Sequence, residues 1–423
     1  MIEIVTLFLG LVTGPQAVEL QVGAPVGAVE VELDGELVEW LDGPPWRFEV
    51  DLGEALAPHE LVAIAHDESG RELARARRWI NIDMPRVEID GQSPPGGLTP
   101  LPVVFTPDDV PLVDEMGGWF EIGGEPLAVG AVHAGPAEVV VVLHPDARPA
   151  LEEMAWSFLI YELERLGARV KPPRADSPAW DPKLLRLPQA EFRARVAELF
   201  DLPPGTPRNR WTLGLWRAWQ RLAGLGKETA VRFISPLAAP VSRSSRPRQL
   251  FAASSGVPDV GLFWLAEKVS PMGFSCRLAD AVAVAGREAH AAGRRRAVVL
   301  LLDGEASDDS LLSAEAARGY LRALRVPLFT WTLSPEGTPP VWPHARFVGR
   351  EGPRGRGAKR PGNVGDAFER LGAAASELRQ ELEGQRIVLL AGERLPHQIS
   401  IAAPTGRARP AGIEPAAARE GPR

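Results

Sequence analysis

The chain has 423 residues, of which 45% are hydrophobic and 24% charged, and its net charge at pH 7 is −8. This length predicts about three domains, and the apolar share is sufficient for buried cores. The 42 glycines and 41 prolines exceed average usage but stay below the range of disordered chains, so many turns are expected. A pI near 5.6 lacks the basic character of a nucleic-acid-binding domain.

The composition also excludes chemistry that depends on several cysteines. The one cysteine, Cys276, leaves no intramolecular disulfide, Cys-based zinc site or iron–sulfur cluster to consider. The seven histidines are scattered and form no HExxH pair, so the sequence predicts no histidine-based metal site. No cofactor is predicted, with Mg²⁺ or Ca²⁺ as the alternative.

Residues 1–17 have two interpretations. The apolar run 4–12 is shorter than the roughly 20 residues that span a bilayer, and it has the size of a signal-peptide core, with Ala17 before a candidate cleavage point. The run is not preceded by a positive charge, and Pro15 stands where a small residue is preferred. Either the true start therefore lies upstream of Met1, or the run is the first strand of a domain. We predict an exported protein, periplasmic or extracellular, and a cytoplasmic one is the alternative. No later stretch reaches transmembrane length.

The pattern of residues 18–83 predicts a small Ig-like β-sandwich. Short strands alternate with turn signals about every 8–12 residues. Asp34-Gly35, between alternating apolar residues, is a strong hairpin signal. We expect Trp40, Trp46 and Trp79 to fill the core. An exposed Trp40 or Trp46 would instead favour carbohydrate binding.

The remainder divides into a β-rich connector, an α/β domain and a tail. Residues 84–137 contain short strands and glycine–proline breaks, and we predict a connector without its own core. Between 138 and 403, apolar strands alternate with amphipathic helices, which is typical of a doubly wound, mostly parallel α/β sheet. The predicted strands are 139–143, 230–234, 297–302, 328–332 and 387–390, and the predicted helices are 151–166, 191–200, 211–222, 278–292, 314–324 and 364–382. The insert 171–228 and the basic loop 349–362 have no assigned role. The tail 404–423, rich in Ala, Pro and Arg, is predicted to be disordered.

Two predicted strands end in residues that could carry chemistry, because doubly wound sheets bind ligands beyond the carboxyl ends of their strands. The residues concerned are His144, Asp146 and Arg148 after one strand, and Asp303, Glu305, Asp308 and Asp309 after the other. The acidic loop 303–309 would suit a divalent cation, which makes an Mg²⁺-dependent phosphoryl-transfer or hydrolytic enzyme one alternative. However, the residues after the first strand do not form a phosphate-binding glycine loop.

The order of elements resembles a von Willebrand factor type A (VWA) domain, and most closely the exported bacterial "VWFA-related" group. In that group a β connector leads directly into the first VWA strand, as the stretch 120–127 leads here to Val139–Leu143. Residues 274–281 are similar to the family's GGTALYDA-like loop and helix, and Leu302-Asp303-Gly304 is similar to its TDG motif. Residues 378–383 and 387–390 are similar to its closing helix and strand, and an Ig-like module in front also suits the group.

The metal-ion-dependent adhesion site of the VWA family is degenerate in this sequence. The family uses Asp-x-Ser-x-Ser, a later Thr and the Asp of TDG, all of which offer oxygen ligands. Carried over by position, these residues become His144, Asp146, Arg148 and Cys276, and only Asp303 is kept, with Ser275 beside the Thr position. A guanidinium has no lone pair for a cation, so we predict that Arg148 pairs with Asp303 or Asp146 and replaces the ion. In the alternative, Asp146, Ser275 and Asp303 still hold a metal.

The resemblance therefore implies a non-enzymatic VWA-like protein that binds another protein or scaffolds an assembly. The expected binding rim comprises His144, Asp146, Arg148, Ser275, Cys276, Asp303, Glu305, Asp308 and Asp309. Neither a nucleic acid nor a transmembrane segment is predicted, apart from the N-terminal run.

Overall fold

The computed structural model describes sixteen stretches of the chain, namely residues 1–8, 10–85, 87, 96–106, 109–145, 147, 169–170, 200–201, 229–238, 251–256, 275–304, 307–334, 341–342, 345–349, 364–404 and 407–412. The strands in these stretches are, in chain order, β1 (Ile2–Ile4), β2 (Pro15–Val22), β3 (Ala28–Leu33), β4 (Glu36–Leu41), β5 (Arg47–Asp51), β6 (His59–His66), β7 (Glu72–Ile80), β8 (Leu98–Phe105), β9 (Phe120–Ile122), β10 (Glu125–Pro126), β11 (Val129–His133), β12 (Ala137–Leu143), β13 (Arg169–Val170), β14 (Phe200–Asp201), β15 (Thr229–Ala238), β16 (Phe251–Gly256), β17 (Ser275–Cys276), β18 (Arg295–Leu302), β19 (Leu328–Thr332), β20 (Arg346–Phe347), β21 (Gln385–Ala391), β22 (Ser400–Ile401) and β23 (Ala408–Pro410). The α-helices are α1 (Leu278–Ala291), α2 (Ala314–Ala323) and α3 (Val364–Gly384), and short 3-10 helices span Val113–Met116 and Pro396–Gln398.

The N-terminal strands form a β-sandwich, as the sequence predicts. A three-stranded sheet, β1-β2-β5, faces a four-stranded sheet, β4-β3-β6-β7, across one apolar core. Because successive side chains of a strand point to opposite faces, Val29 and Val31 enter this core while Glu30 and Glu32 point away. The predicted Asp34-Gly35 hairpin joins β3 to β4. Both turn residues have positive φ, 56° and 86°, as the turns that match strand twist require.

The apolar N-terminal run belongs to this sandwich. β1 pairs antiparallel with β2, and Ile2 and Ile4 are buried in the shared core. Of the run 4–12, only Ile4 lies in this strand, but Phe8 and Val12 also pack against the core of the sandwich. Export remains a prediction. The burial of Ile2 and Ile4 in the sandwich does not support it, because a signal peptide would not be part of the folded domain. No helix in the described part of the chain has the length and apolar character needed to cross a membrane.

The region predicted to be a connector is part of a second β unit with its own core. β8 pairs with both β21 and β23, β11 pairs with β21, and β9 pairs with β10 and β22. Side chains from both ends of the chain share one apolar cluster, whose members include Val103, Trp119, Phe120 and Val388.

Two boundaries of the sequence analysis are therefore wrong. The closing strand near Ile387–Leu390 belongs to this β unit and not to the parallel sheet, and Ala408–Pro410 is a strand and not part of a disordered tail. β21 and β23 both pair with β8, which lies about 300 residues earlier in the chain, so neither strand depends on a partner close to it in sequence.

The third unit is a mostly parallel sheet with the strand order β16-β15-β12-β18-β19-β20. β12, β15, β18, β19 and β20 run parallel, whereas β16 is antiparallel to β15. Helix α3 packs on one face of the sheet, and α1 and α2 pack on the other. With helices on both faces, β12 is buried along its whole length, as its run of valines predicts.

Several predictions lie outside the described residues. The expected helices at 151–166 and 211–222, nearly all of the insert 171–228 and the basic loop 350–362 belong to this group. Within the described residues, the predicted strands near 230–234, 297–302 and 328–332 and the helices near 278–292, 314–324 and 364–382 are confirmed.

The sandwich is attached to helices α1 and α2 of the parallel-sheet unit. The buried Tyr320 hydroxyl donates to the Asn81 carbonyl, and Arg287 forms a bidentate pair with Asp83 at 2.9 and 3.0 Å. Leu56 and Ile82 extend the apolar cluster between α1 and α2. Burial raises the pKa of the Tyr320 hydroxyl, so Tyr320 remains a neutral donor.

Candidate functional site

The strand order places a candidate site at the carboxyl ends of β12 and β18. The strand that follows β12 in the parallel order, β15, lies on one side of β12, and the strand that follows β18, β19, lies on the other side of β18, so the order reverses between these two neighbours. Open α/β sheets bind ligands at such a reversal, in a crevice outside the carboxyl ends of the strands. Leu143, the last residue of β12, pairs with Leu301 near the end of β18. His144 and Asp303 therefore lie at the edge of the sheet where such a crevice is expected.

His144 is fixed directly after β12. Its backbone N–H donates to the Leu301 carbonyl, its carbonyl accepts from the Ala147 N–H, both at 3.0 Å, and its side chain is only about 1% exposed. A side chain this buried belongs to the wall of the crevice and not to its surface. Asp146 and Arg148, the next two predicted rim residues, lie outside the described residues, as does Glu305. The predicted pairing of Arg148 with Asp303 thus stays a prediction.

Ser275 and Cys276 form β17, which reaches the crevice from the side of β15. Leu237 pairs with Cys276 and Ala238 pairs with Ser275, and the Arg277 N–H donates to the Pro236 carbonyl at 2.8 Å. Cys276 is buried, whereas Ser275 is partly exposed. The two residues therefore lead directly from the sheet into helix α1, as the sequence analysis expected.

The acidic loop after β18 is fastened to the start of α1. The two Asp308 carboxylate oxygens accept from the Leu278 and Ala279 N–H groups at 2.9 and 3.2 Å, which are among the N–H groups that a helix start leaves unpaired. The Asp309 N–H donates to the Cys276 carbonyl at 2.6 Å. We refer to residues 307–312 as the latch.

Asp280 completes the latch from the helix side. Its carboxylate accepts from the Leu311 and Leu312 N–H groups at 3.2 and 3.0 Å, while its own N–H donates to the Ser310 hydroxyl at 3.1 Å. Arg277 forms an ion pair with the same carboxylate. The loop and the start of the helix thus cap each other, and these bonds hold the latch against α1.

Asp308 therefore differs from its predicted role. The sequence analysis placed it on a binding rim and counted it among the carboxylates available to a cation. The structure commits it to helix capping, and the favourable interaction of a carboxylate with a helix N-terminus explains why an acidic residue stands here.

Two residues of the rim, Asp280 and Leu311, are not predicted from the sequence. Asp280 holds the latch, yet its partners lie about 30 residues further along the chain, so no local pattern reveals the contact. Leu311 is 87% exposed at the top of the latch, while the next residue, Leu312, packs against the apolar cluster between α1 and α2. An apolar residue within a polar loop is the one available signal for Leu311.

The residues at the VWA ligand positions do not fit a hard divalent cation. Among those described, Asp303 and Ser275 offer oxygen atoms, but His144 and Cys276 offer nitrogen and sulfur. In the described residues, no group of three or more His, Cys, Asp or Glu side chains is placed to hold a metal ion.

Among the tryptophans, Trp40 is 45% exposed, whereas Trp46 and Trp79 are partly buried against apolar clusters. The expectation that Trp40 fills the core is wrong, because β4 lies at the edge of its sheet with its side chains outside the sandwich. Its exposure leaves the carbohydrate alternative open.

Comparisons with known proteins identify no family. No protein-family model matches the chain, and no curated protein matches it. One solved structure, of the fibronectin(III)-like modules of Clostridium thermocellum CbhA, is similar at 18% identity over 19% of this chain and 93% of that chain, with a TM-score of 0.17. A TM-score this low carries no argument about fold or function.

Proposed function

We propose that the chain is a non-enzymatic, VWA-like protein that binds a protein partner at the carboxyl edge of its parallel sheet. Numbered along the chain, the main strands of this sheet lie in the order 3-2-1-4-5-6, with strand 3 antiparallel. This doubly wound order, the helices on both faces and the preceding β unit support the resemblance that the sequence indicates. The rim of the crevice is then the natural docking face.

The position of the Asp308 carboxylate carries the proposal. A helix N-terminus at the carboxyl edge of a doubly wound sheet is the ordinary binding site for a phosphate or another anion. Here the chain's own carboxylate already accepts from the first N–H groups of α1 at 2.9 and 3.2 Å. This occupancy counts against an enzyme that uses the acidic loop and α1 to hold a phosphorylated substrate, and it favours a rim that is built for contact.

Leu311 indicates what the rim contacts. The Leu311 side chain is 87% exposed, and its backbone N–H is bonded to Asp280, so a partner that covers the side chain does not also have to order the backbone. Asp309 is exposed beside it. We infer a partner with an apolar pocket for Leu311 and basic residues around that pocket, because interface centres are apolar and their rims are polar.

Site-specific crosslinking tests this proposal directly. A photoreactive phenylalanine analogue is placed at position 311 of the full chain in the source organism, and a matched one is placed at Leu112, which is 72% exposed outside the rim. We expect a discrete crosslinked protein from position 311 and not from position 112. We also expect that protein to bind the purified chain and to lose at least about tenfold affinity with Leu311→Asp. Equal crosslinking from both positions contradicts a rim-specific partner.

A metal titration tests the second part of the proposal. Thermal unfolding is followed with and without millimolar Mg²⁺ or Mn²⁺, and we expect no shift of the midpoint. A rise of the midpoint that disappears in Asp303→Ala would show that Asp303 still holds an ion, and would restore the metal-dependent alternatives.

A further inference from the structure

The two outer strands of the four-stranded sheet in the sandwich are β4 and β7, and they have opposite electrostatic character. In the order β4-β3-β6-β7, no described strand pairs with the outer side of either. Residues 23–46, which include β4, contain six acidic and no basic side chains. Residues 71–78, which form most of β7, contain four arginines and one glutamate.

The β4 edge is open for pairing. Its residues Glu36 to Trp40 are all exposed, including the apolar Leu37 at 61% and Val38 at 43%. The Trp40 N–H donates to the carboxylate of its own neighbour, Glu39, at 3.1 Å. A backbone donor of this strand is therefore bonded to an exposed side chain, which the carbonyl of an added strand could replace. Exposed edge strands with apolar side chains are templates for pairing with another chain.

The charge pattern selects the occupant. Pairing two β4 edges would place carboxylates opposite carboxylates, which is unfavourable. The β7 edge of a second copy offers the opposite charge at Arg71 and Arg75, both of them exposed. Their ion pairs with Asp67 at 3.5 Å and Glu72 at 3.2 Å are on the surface and can exchange for carboxylates of the β4 edge. Its first half is the accessible part, because further along Arg77 bridges Glu60 and Glu393 at 2.6 and 3.3 Å.

We propose that the β4 edge of one copy pairs with the first half of β7 in a second copy, so that the four-stranded sheet continues from molecule to molecule. The contact is heterologous, since different surfaces meet, and it therefore propagates into chains of molecules and not into a closed dimer. Two paired strands of five or six residues bury less than the roughly 1,200 Å² of a standard stable interface, so the association is weak and sensitive to salt. The proposal does not depend on the function assigned to the latch.

Trp40 is placed to stabilise this arrangement. Its ring stacks on His66 at a centroid distance of 5.4 Å, and its Nε1 donates to Asp42 at 2.7 Å. The ring is thus held on the sheet face beside the edge, where an incoming arginine can lie over it. The excess of acidic groups around the ring favours such a cationic neighbour over a neutral sugar.

The test is sedimentation velocity of the full chain over about 10 to 300 µM, because weak self-association depends on concentration. We expect the average mass to rise with concentration at low salt, and the association constant to fall at least about tenfold in 0.5 M NaCl. Val38→Lys places a positive charge on the β4 edge, and Arg75→Glu places a negative charge on the β7 edge. Each variant alone is expected to stay monomeric.

Mixing the two variants provides the decisive result. Val38→Lys keeps an intact β7 edge and Arg75→Glu keeps an intact β4 edge, so the mixture is expected to associate again. Leu112→Lys, exposed and outside the sandwich, is the matched control and should self-associate like the unmodified chain. Circular dichroism confirms that each variant is folded.

Three outcomes overturn the proposal. A wild-type chain that is monomeric at every concentration has no such contact. Association that only Val38→Lys abolishes indicates a β4–β4 contact. Association that neither variant affects indicates another interface. If the monomeric chain instead binds a neutral hexasaccharide, and Trp40→Ala removes that binding, the β4 region serves carbohydrate recognition.

Discussion

At each end of the parallel sheet, a charged side chain forms hydrogen bonds with the backbone groups that a helix terminus leaves unpaired. The side chain at the amino end is buried, and the one at the carboxyl end is exposed. At the amino end, the fully buried Arg296 donates to the carbonyls of His290 and Leu324 at 3.4 and 3.1 Å, the last turns of α1 and α2. Burial lowers the pKa of its guanidinium to about 9. At the carboxyl end, Asp308 caps the start of α1 from an exposed loop.

This difference indicates that the amino end of the sheet contributes more to stability, whereas the carboxyl end tolerates substitution. Unpaired helix-end carbonyls in the interior cost far more than the same groups at the surface, where water replaces a lost partner. The exposed latch residues Asp308 and Leu311 can therefore vary at little cost in stability, whereas Arg296 cannot. The four predictions below test this contrast, from the largest expected effect to the smallest.

We expect Arg296→Ala to lower the free energy of unfolding by about 4 kcal/mol, because it leaves a large cavity and removes a donor from the carbonyls of His290 and Leu324, of which the first keeps the Gly293 N–H. Urea denaturation followed by circular dichroism measures the loss. Arg294→Ala is the matched control, since Arg294 is exposed beside β18, and we expect it to stay within about 0.5 kcal/mol of the unmodified chain. A loss below about 1 kcal/mol for Arg296→Ala would contradict the contrast.

The second prediction concerns His290, which lies against Arg296. Burial, and then the Arg296 charge, hold the pKa of its imidazole well below 6.5. The unfolded chain takes up a proton near pH 6.5 while the folded chain does not, so stability is complete above pH 6.5 and declines as the pH falls below it. One such group contributes up to about 1.4 kcal/mol per pH unit.

Thermal unfolding between pH 5 and 8 measures this decline. His133 and His397 also have lowered pKa values because of burial, so the unmodified chain combines all three contributions, while the raised pKa of Glu138 acts in the opposite direction at lower pH. His290→Leu should reduce the slope below pH 6.5 by more than His397→Leu does. If stability depended on pH equally in the two variants, the decline below pH 6.5 would have to come from groups other than His290.

The sequence predicts the parts of the fold that depend on neighbouring residues. The apolar β12 and β18, the Asp34-Gly35 hairpin and the periods of α1, α2 and α3 are local patterns, and the structure confirms them. The partners of β21 and β23 lie about 300 residues away on β8, and no local pattern indicates such a pairing.

The candidate site shows the same division. The positions of His144 and Asp303 follow from the ends of two buried strands, so they could be predicted. The role of Asp308 could not, because a carboxylate in an acidic loop has the same local pattern whether it binds a cation or caps a helix 30 residues earlier in the chain. Physical contact with Leu278 and Ala279 distinguishes the two.

The third prediction measures the strength of the latch. Asp308→Ala removes the acceptor of two N–H groups at the start of α1, and we expect a loss of about 1 kcal/mol in urea denaturation, as for other exposed caps. Asp309→Ala is the control, because Asp309 is bonded to Cys276 through its backbone, which the substitution keeps. If Asp308→Ala lowered the free energy of unfolding as much as Arg296→Ala, both ends of the sheet would contribute equally to stability.

The smallest effect is expected at Leu311. Leu311→Asp replaces a side chain that is 87% exposed, so we expect the free energy of unfolding to stay within about 0.5 kcal/mol of the unmodified chain. Leu312→Asp is the matched variant, since Leu312 packs against the cluster between α1 and α2, and burying its carboxylate should cost several kcal/mol. If Leu311→Asp were as damaging as Leu312→Asp, the Leu311 side chain would be part of the core, and the latch would lose its exposed anchor for a partner.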